Sequence, residues 1–168
     1  MLNWYAVYVN VKHEKKVVKK LQEQNIEAYS PIVKRIQQWS DRKKTVEFPM
    51  LSGYVFVKID LQNKEKVLHS PGVFSFIKFN GVEAKIRDVE IGVLKSIEMS
   101  GYDVTQEVEE MAILDNVEVT QGALKGLKGT IVQMNNTNYV QIVLESINQS
   151  VKVKLPQHIL KKRIILHS

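Results

Sequence analysis

The four histidines, His13, His69, His158 and His167, share no ligand spacing with one another or with a carboxylate pair, so the sequence offers no metal site. Without a cysteine there is no thiol nucleophile, thiolate metal site or disulfide. No Ser, His and acid grouping stands out. Gly122, Gly126 and Gly129 in G-A-L-K-G-L-K-G-T look like a phosphate loop, but a P-loop needs Gly-Lys-Ser/Thr and a helix after it. Here Lys128 precedes Gly129 and strand patterns flank the segment. The expectation is a protein that is not an enzyme and that carries no cofactor and no metal.

What the residues do offer is binding chemistry. The formal charge is +6, from 24 Lys and Arg against 18 Asp and Glu. A basic surface suits nucleic acid or a nucleoprotein machine, although many proteins without such partners carry one. Lys12, Lys16, Lys19 and Lys20 lie opposite an apolar stripe of Val17, Val18 and Leu21, giving either a solvated helix face or a nucleic-acid contact. In Q-W-S-D-R-K-K, Trp39 stands beside Arg42, Lys43 and Lys44. An aromatic ring among three cations can stack on a base and clamp a phosphate, or simply decorate a loop. The third group lies in F-P-M-L-S-G-Y-V-F-V-K-I-D, residues 48–60. Gly53 bends the chain, after which Tyr54 can present its phenol edge while Val55 and Val57 point to the other face. Taken alone, this run reads first as a core strand.

These groups need a frame. Trp4 to Val9 reads as a strand, Lys12 to Gln24 as a helix, and Ile26 to Gln37 as a strand interrupted by Pro31, which belongs at an edge or bulge. Ser40 and Asp41 turn the hairpin tip, and the 48–60 strand returns from it. Leu61 to Ser70 is a short helix, P-G-V-F-S-F-I-K-F a strand, Asn80-Gly81 a hairpin turn, and Val82 to Ile86 its return. Asp88 can cap a helix that buries Val89, Val93, Leu94 and Ile97. Helices alternating with a mainly antiparallel sheet make an α+β sandwich.

Residues 100–115 hold five acidic groups and no basic one, between two basic segments. That is how two units joined by a solvated linker would look, with the boundaries expected at 1–99, 100–113 and 114–168. Beyond the linker, Val117 and Val119, residues 130–134, residues 139–144, and Val151, Val153 and Leu155 alternating with Lys152 and Lys154 give short strands suited to a small barrel. The first twelve residues lack a basic n-region, and no apolar run approaches the roughly 20 residues of a membrane span. A soluble, cytoplasmic protein without membrane partners is expected.

The segment V-E-V-T-Q-G-A-L-K-G-L-K-G-T-I-V, residues 117–132, resembles the KOW motif, with Gly122 turning the chain and Gly129 at a backbone position that a β-carbon would obstruct. Ala123 stands where that family has proline. Upstream, W-Y-A-V-Y, a helix, a hairpin, L-S-G-Y-V-F-V and P-G-V-F-S-F-I resemble in order the NGN domain of NusG-family transcription elongation factors. Leu51, Ser52, Gly53 and Tyr54 replace that family's Phe-Pro-Gly-Tyr. The resemblance spans nearly the whole chain.

It implies an NGN-type α/β sandwich followed by an SH3-like β-barrel. The sandwich would dock on the clamp helices of RNA polymerase through Tyr54, Phe79 and Ile91, supported by Leu51 and Phe56. It implies a monomer that suppresses pausing or termination. Non-template or upstream DNA would meet Lys12, Lys16, Lys19 and Lys20 and the tip with Trp39, Arg42, Lys43 and Lys44. The barrel, carrying Gly122, Gly126 and Gly129, would meet a ribosomal or termination-factor partner, with Ile147 where relatives expose an apolar residue. The compact hairpin is similar to that of specialised paralogues such as RfaH or UpxY, which antiterminate long polysaccharide operons. Some paralogues refold the C-terminal segment into helices against the NGN domain. Val140, Ile142, Val143, Val151 and Val153 here favour strands, so the expectation is a barrel that is not masked. The rival reading is a KOW-containing ribosome-associated or RNA-binding protein.

Overall fold

The computed structural model describes residues 1–106, 112–164 and 166. Its elements run β1 (Asn3–Val9), α1 (Glu14–Glu23), β2 (Glu27–Tyr29), β3 (Ile32–Gln38), β4 (Lys43–Pro49), β5 (Tyr54–Ile59), α2 (Lys64–Leu68), β6 (Val73–Phe76), β7 (Lys78–Phe79), β8 (Val82–Glu83), β9 (Lys85–Ile86), α3 (Asp88–Ser100), β10 (Val104–Thr105), β11 (Ala112–Val119), β12 (Lys128–Met134), β13 (Thr137–Leu144), β14 (Gln149–Val153) and β15 (Leu160–Lys162). The fold is α+β with antiparallel sheets. One sheet has the order β2-β5-β1-β6 with β9 also on β1, and a second has the order β10-β14-β13-β12-β11-β15. The pairs β3–β4 and β7–β8 are separate two-stranded ladders.

Strand alternation gives the first sheet two apolar faces. Tyr5, Val7, Val9, Val55, Val57 and Ile59 pack with Val17 and Leu21 of α1 and with Val67 of α2. Trp4, Ala6 and Phe56 face the other way, into a cluster that includes Ile91, Leu94 and Ile97 of α3 and continues into the second sheet through Val117, Val140, Ile147 and Val151. A single buried cluster therefore runs across both halves of the chain.

Pro31 separates β2 from β3, as its missing N–H requires, and Asn80-Gly81 turns with both residues at positive φ. Four expectations change. The 48–60 run is two strands, because Gly53 at φ +82° turns the chain between β4 and β5. Asp88 does not cap α3: the cap position is Arg87, whose backbone N–H donates to the Glu90 side chain at 3.1 Å. Of the stripe expected on that helix, Leu94 and Ile97 are buried and Val93 packs partly buried against the same cluster, but Val89 is exposed and Ile91 is buried in its place, since the larger isoleucine offers more apolar area to the sheet. Lys152 is covered although Lys154 is not, because β10 pairs beside it on β14. Burial pushes the Lys152 ammonium pKa down.

The acidic stretch begins in ordered structure. Helix α3 extends through Ser100, and Val104–Thr105 pairs with β14. The linker expectation for residues 107–111 lies outside the described residues.

Candidate functional site

Tyr54 begins β5 and stands opposite Tyr8 on β1, with ring centroids 5.3 Å apart at a tilt of 52°. Two bonds fix the turn that delivers it. Val9 N–H donates to the Gly53 carbonyl at 2.9 Å, and Gly53 N–H donates to the buried Glu14 carboxylate of α1 at 2.8 Å. Burial first, then hydrogen bonding with Tyr8, pushes the Tyr54 phenol up to about 12, so it remains a neutral group at any ordinary pH. Leu51 and Phe56 are fully buried beneath it.

The other two expected members lie on other elements, Phe79 on β7 and Ile91 on α3. Phe79 is exposed in the β7–β8 hairpin. The chain there has passed Ala6, whose carbonyl accepts from Ile77 N–H, and so has left the Tyr8 end of β1. Ile91 is buried in the cluster between α3 and the sheets. Two exposed rings escaped the sequence reading: Tyr8, at 41% exposure, and Phe74, at 66% on edge strand β6. Alternation along W-Y-A-V-Y placed Tyr8 on one face, but only the β1–β5 register pairs it with Tyr54.

The basic residues form two groups. Lys12 adopts a left-handed φ of 70°, Lys16 and Lys19 are exposed, and Lys20 is half-buried. Lys15 is ion-paired with Glu47 of β4, which ties α1 to the hairpin. In the β3–β4 ladder Val33 faces Phe48, Arg35 faces Val46 and Gln37 faces Lys44, while Lys34, Ile36 and Gln38 face Glu47, Thr45 and Lys43. Cross-strand partners share a face. Arg35, Gln37, Lys44 and Phe48 therefore line one side of the hairpin, and Glu47, with the α1 ion pair, lies on the other. At the tip, exposed Trp39 receives the Lys44 ammonium 5.9 Å from its ring centre. Arg42 and Lys43 are exposed beside it.

In the loop between β11 and β12, Gly122 and Gly126 take φ values of 87° and 90°. Gly126 N–H donates to Val119 O, and Val119 N–H donates to Leu127 O, closing the loop back on its own strand. At Gly129 a Cβ would lie 2.5 Å from Val140 Cγ1 and 2.7 Å from Gln141 O. Among the described residues no group of three or more His, Asp or Glu side chains could hold a metal ion, and no helix is long and apolar enough to cross a membrane.

The family model described as transcription termination factor nusG matches residues 2–95. The chain belongs to the NusG family. This makes it a transcription elongation factor by family, and members of the NusG family act without catalysing a reaction. A comparison with curated proteins found no match. The solved structure described as "Domain interaction in Thermotoga maritima NusG" shares the fold, with a TM-score of 0.58 and 21% identity, covering 96% of this chain and 97% of that one. Conformations A and B of the MjSpt4:Spt5 complex match at TM-scores of 0.32 and 0.33, with 18% and 20% identity and 95% of this chain covered in each case.

In this NusG-family chain the C-terminal part is built of strands, as expected, but it packs on α3, contrary to the expectation that it is not masked. Ser146 N–H donates to Glu90 Oε1 at 3.1 Å, and its hydroxyl donates to Glu90 Oε2. Arg87 pairs with Glu90 at 3.3 Å and with Glu145 at 3.6 Å. Ile147, expected to be exposed, is 4% exposed within the shared cluster. Burial alone would push the Glu90 carboxyl up, yet hydrogen bonds from Ser146 and Arg87 outweigh it and hold the group below the ordinary carboxylate value.

Proposed function

We propose that this chain is an elongation and antitermination factor that docks on the clamp helices of RNA polymerase and suppresses pausing or termination, acting on long polysaccharide operons. The Tyr8–Tyr54 pair carries the reading: an exposed ring against a partly buried one, backed by buried Leu51 and Phe56 and by the Gly53–Glu14 bond, suits the tip of a coiled coil. Phe79 and Ile91 extend the docking face, Ile91 once the C-terminal part has moved away. Docked there, the factor favours the closed, elongating polymerase by binding it more tightly than the open form.

The functional units are residues 1–99 for polymerase and 114–168 for a ribosomal or termination partner, with 100–113 between them. Upstream or non-template DNA meets the α1 lysines and the hairpin tip, and Gly122, Gly126 and Gly129 shape the KOW loop. The protein works as a monomer in the cytoplasm. Changing Tyr54 to Ala is expected to weaken binding to purified polymerase about 30-fold while the circular dichroism of the fold is kept. Unchanged polymerase binding by that variant refutes this docking face, and salt-sensitive binding to RNA alone, without polymerase, favours the ribosome-associated alternative.

A further inference from the structure

A recess of about 260 Å³ lies between the start of α1 and the root of the β3–β4 hairpin, wholly within the N-terminal half, with apolar walls from Ile32, Phe48 and Pro49. Its polar groups come from Lys12, Glu14 and Lys15 on the α1 side, Glu47 on the hairpin, and Ser30 between β2 and β3. Lys15 and Glu47 neutralise each other in an ion pair.

The other three are not so engaged. Ser30 is 8% exposed, and its buried hydroxyl oxygen has no hydrogen-bond partner among the described residues. Nearly every buried hydroxyl in a folded protein is satisfied, so an exception calls for an explanation. Glu14 is 3% exposed and accepts from Gly53 N–H, yet neither it nor Lys12 takes part in an ion pair among the described residues. Lys12 is unusual in backbone as well. It holds a φ of 70°, whereas the other five non-glycine residues described at positive φ are all asparagines. Asparagine tolerates that region and lysine does so less readily, which fits a position kept for its side chain.

We propose that this recess binds a free α-amino acid with an apolar side chain. The ligand carboxylate takes the Lys12 ammonium and the Ser30 O–H, its ammonium faces Glu14, and its side chain lies against Ile32, Phe48 and Pro49. Charge selects this class. The lining carries two lysines and two glutamates, so neither a plain anion nor a plain cation is favoured. With Lys15 and Glu47 paired, one cation and one buried anion remain, and a molecule bearing both signs on one carbon serves both. Charged groups enter such a site only when each finds a charged, hydrogen-bonding partner there. A residue inside a peptide lacks both charges, which excludes a segment of a protein partner. The volume lies below the roughly 300–1,000 Å³ of sites for drug-sized molecules and suits a small metabolite.

The test is a calorimetric titration of the full chain with L-phenylalanine and L-leucine, with amide shifts followed by NMR. Saturable one-site binding is expected, with shifts at Lys12, Ser30 and the hairpin root and a denaturation midpoint that rises with ligand concentration. 3-Phenylpropanoate lacks the ammonium and 2-phenylethylamine lacks the carboxylate, and each should bind about 10-fold more weakly than L-phenylalanine. Lys12→Asn keeps the left-handed turn and should weaken binding about 10-fold. Ser30→Ala should weaken it about 5-fold, while the urea midpoint of the free protein stays the same or rises, because no bond to the hydroxyl is lost. Failure of both amino acids to bind overturns the proposal, as does equal binding of either truncated analogue. A lower urea midpoint in free Ser30→Ala also overturns it, since the hydroxyl would then have a partner of its own.

Discussion

Replacing Gly129 with alanine should lower the free energy of unfolding by about 2–3 kcal/mol, read as a fall in the urea midpoint. The cause is steric and not conformational, since Gly129 is not among the positive-φ glycines. Its new methyl would meet Val140 Cγ1 at 2.5 Å, and that side chain can rotate. It would also meet Gln141 O at 2.7 Å, and that carbonyl belongs to a strand paired with Thr130 in the β12–β13 ladder. Relief therefore demands that two paired strands separate. Gly92→Ala is the matched control: it lies within α3 with nothing within 4 Å of the added carbon, and the same substitution there should stabilise by about 0.5–1 kcal/mol. Equal effects at the two sites would refute the packing argument.

Glu90→Gln should separate the C-terminal part from α3. The carboxylate accepts from Ser146 twice, accepts from the Arg87 backbone at the start of α3, and pairs with the Arg87 side chain. Removing one charged acceptor from such a buried set costs about 1–3 kcal/mol. Faster amide exchange at Ser146, with the backbone of β1 and β5 still protected, is the expected signature. The same group gives the contact a pH dependence. Its folded value lies below the ordinary 4.5, so the stabilisation is fully present above about 4.5 and is lost as pH falls through the lower folded value. Acidification should thus lower the Ser146 protection factor, the intrinsic exchange rate at each pH divided by the observed one, in the natural sequence, and Glu90→Gln should flatten that dependence. An unchanged acid response in the variant would assign it to other carboxylates.

Where one residue type answers to one local constraint, sequence reading sufficed. Pro31 had to break the strand, Asn80-Gly81 had to turn, and Gly129 had to leave room. Reading failed where two local solutions compete. Around a shared Leu94 and Ile97, helix α3 can turn in either Val89 or Ile91, and only the packed sheet selects Ile91. Partners distant in sequence were equally invisible. Tyr8 becomes part of the aromatic site through the β1–β5 register, and Ile147 becomes buried through Ser146 and Glu90, 56 positions apart. Lys152 looked like the polar half of an alternating strand, which holds only if no further strand pairs alongside. The basic residues were legible one by one, but hairpin pairing decides which of them share a side.

The β3–β4 hairpin is a sheet of its own, with two seven-residue strands and, at its root, a bond from Met50 N–H to Pro31 O. Its arm is about 20 Å long, so a swing of about 10° at the root carries Trp39 through about 3.5 Å. That lever is braced halfway along, where Arg35 holds Asp103 on one face and Glu47 holds Lys15 on the other, so a pull at the tip is borne first by these two pairs and only then by the root. A hairpin anchored in this way has a reach set by its length, and lengthening or shortening it by one ladder rung would move Trp39 without touching either core.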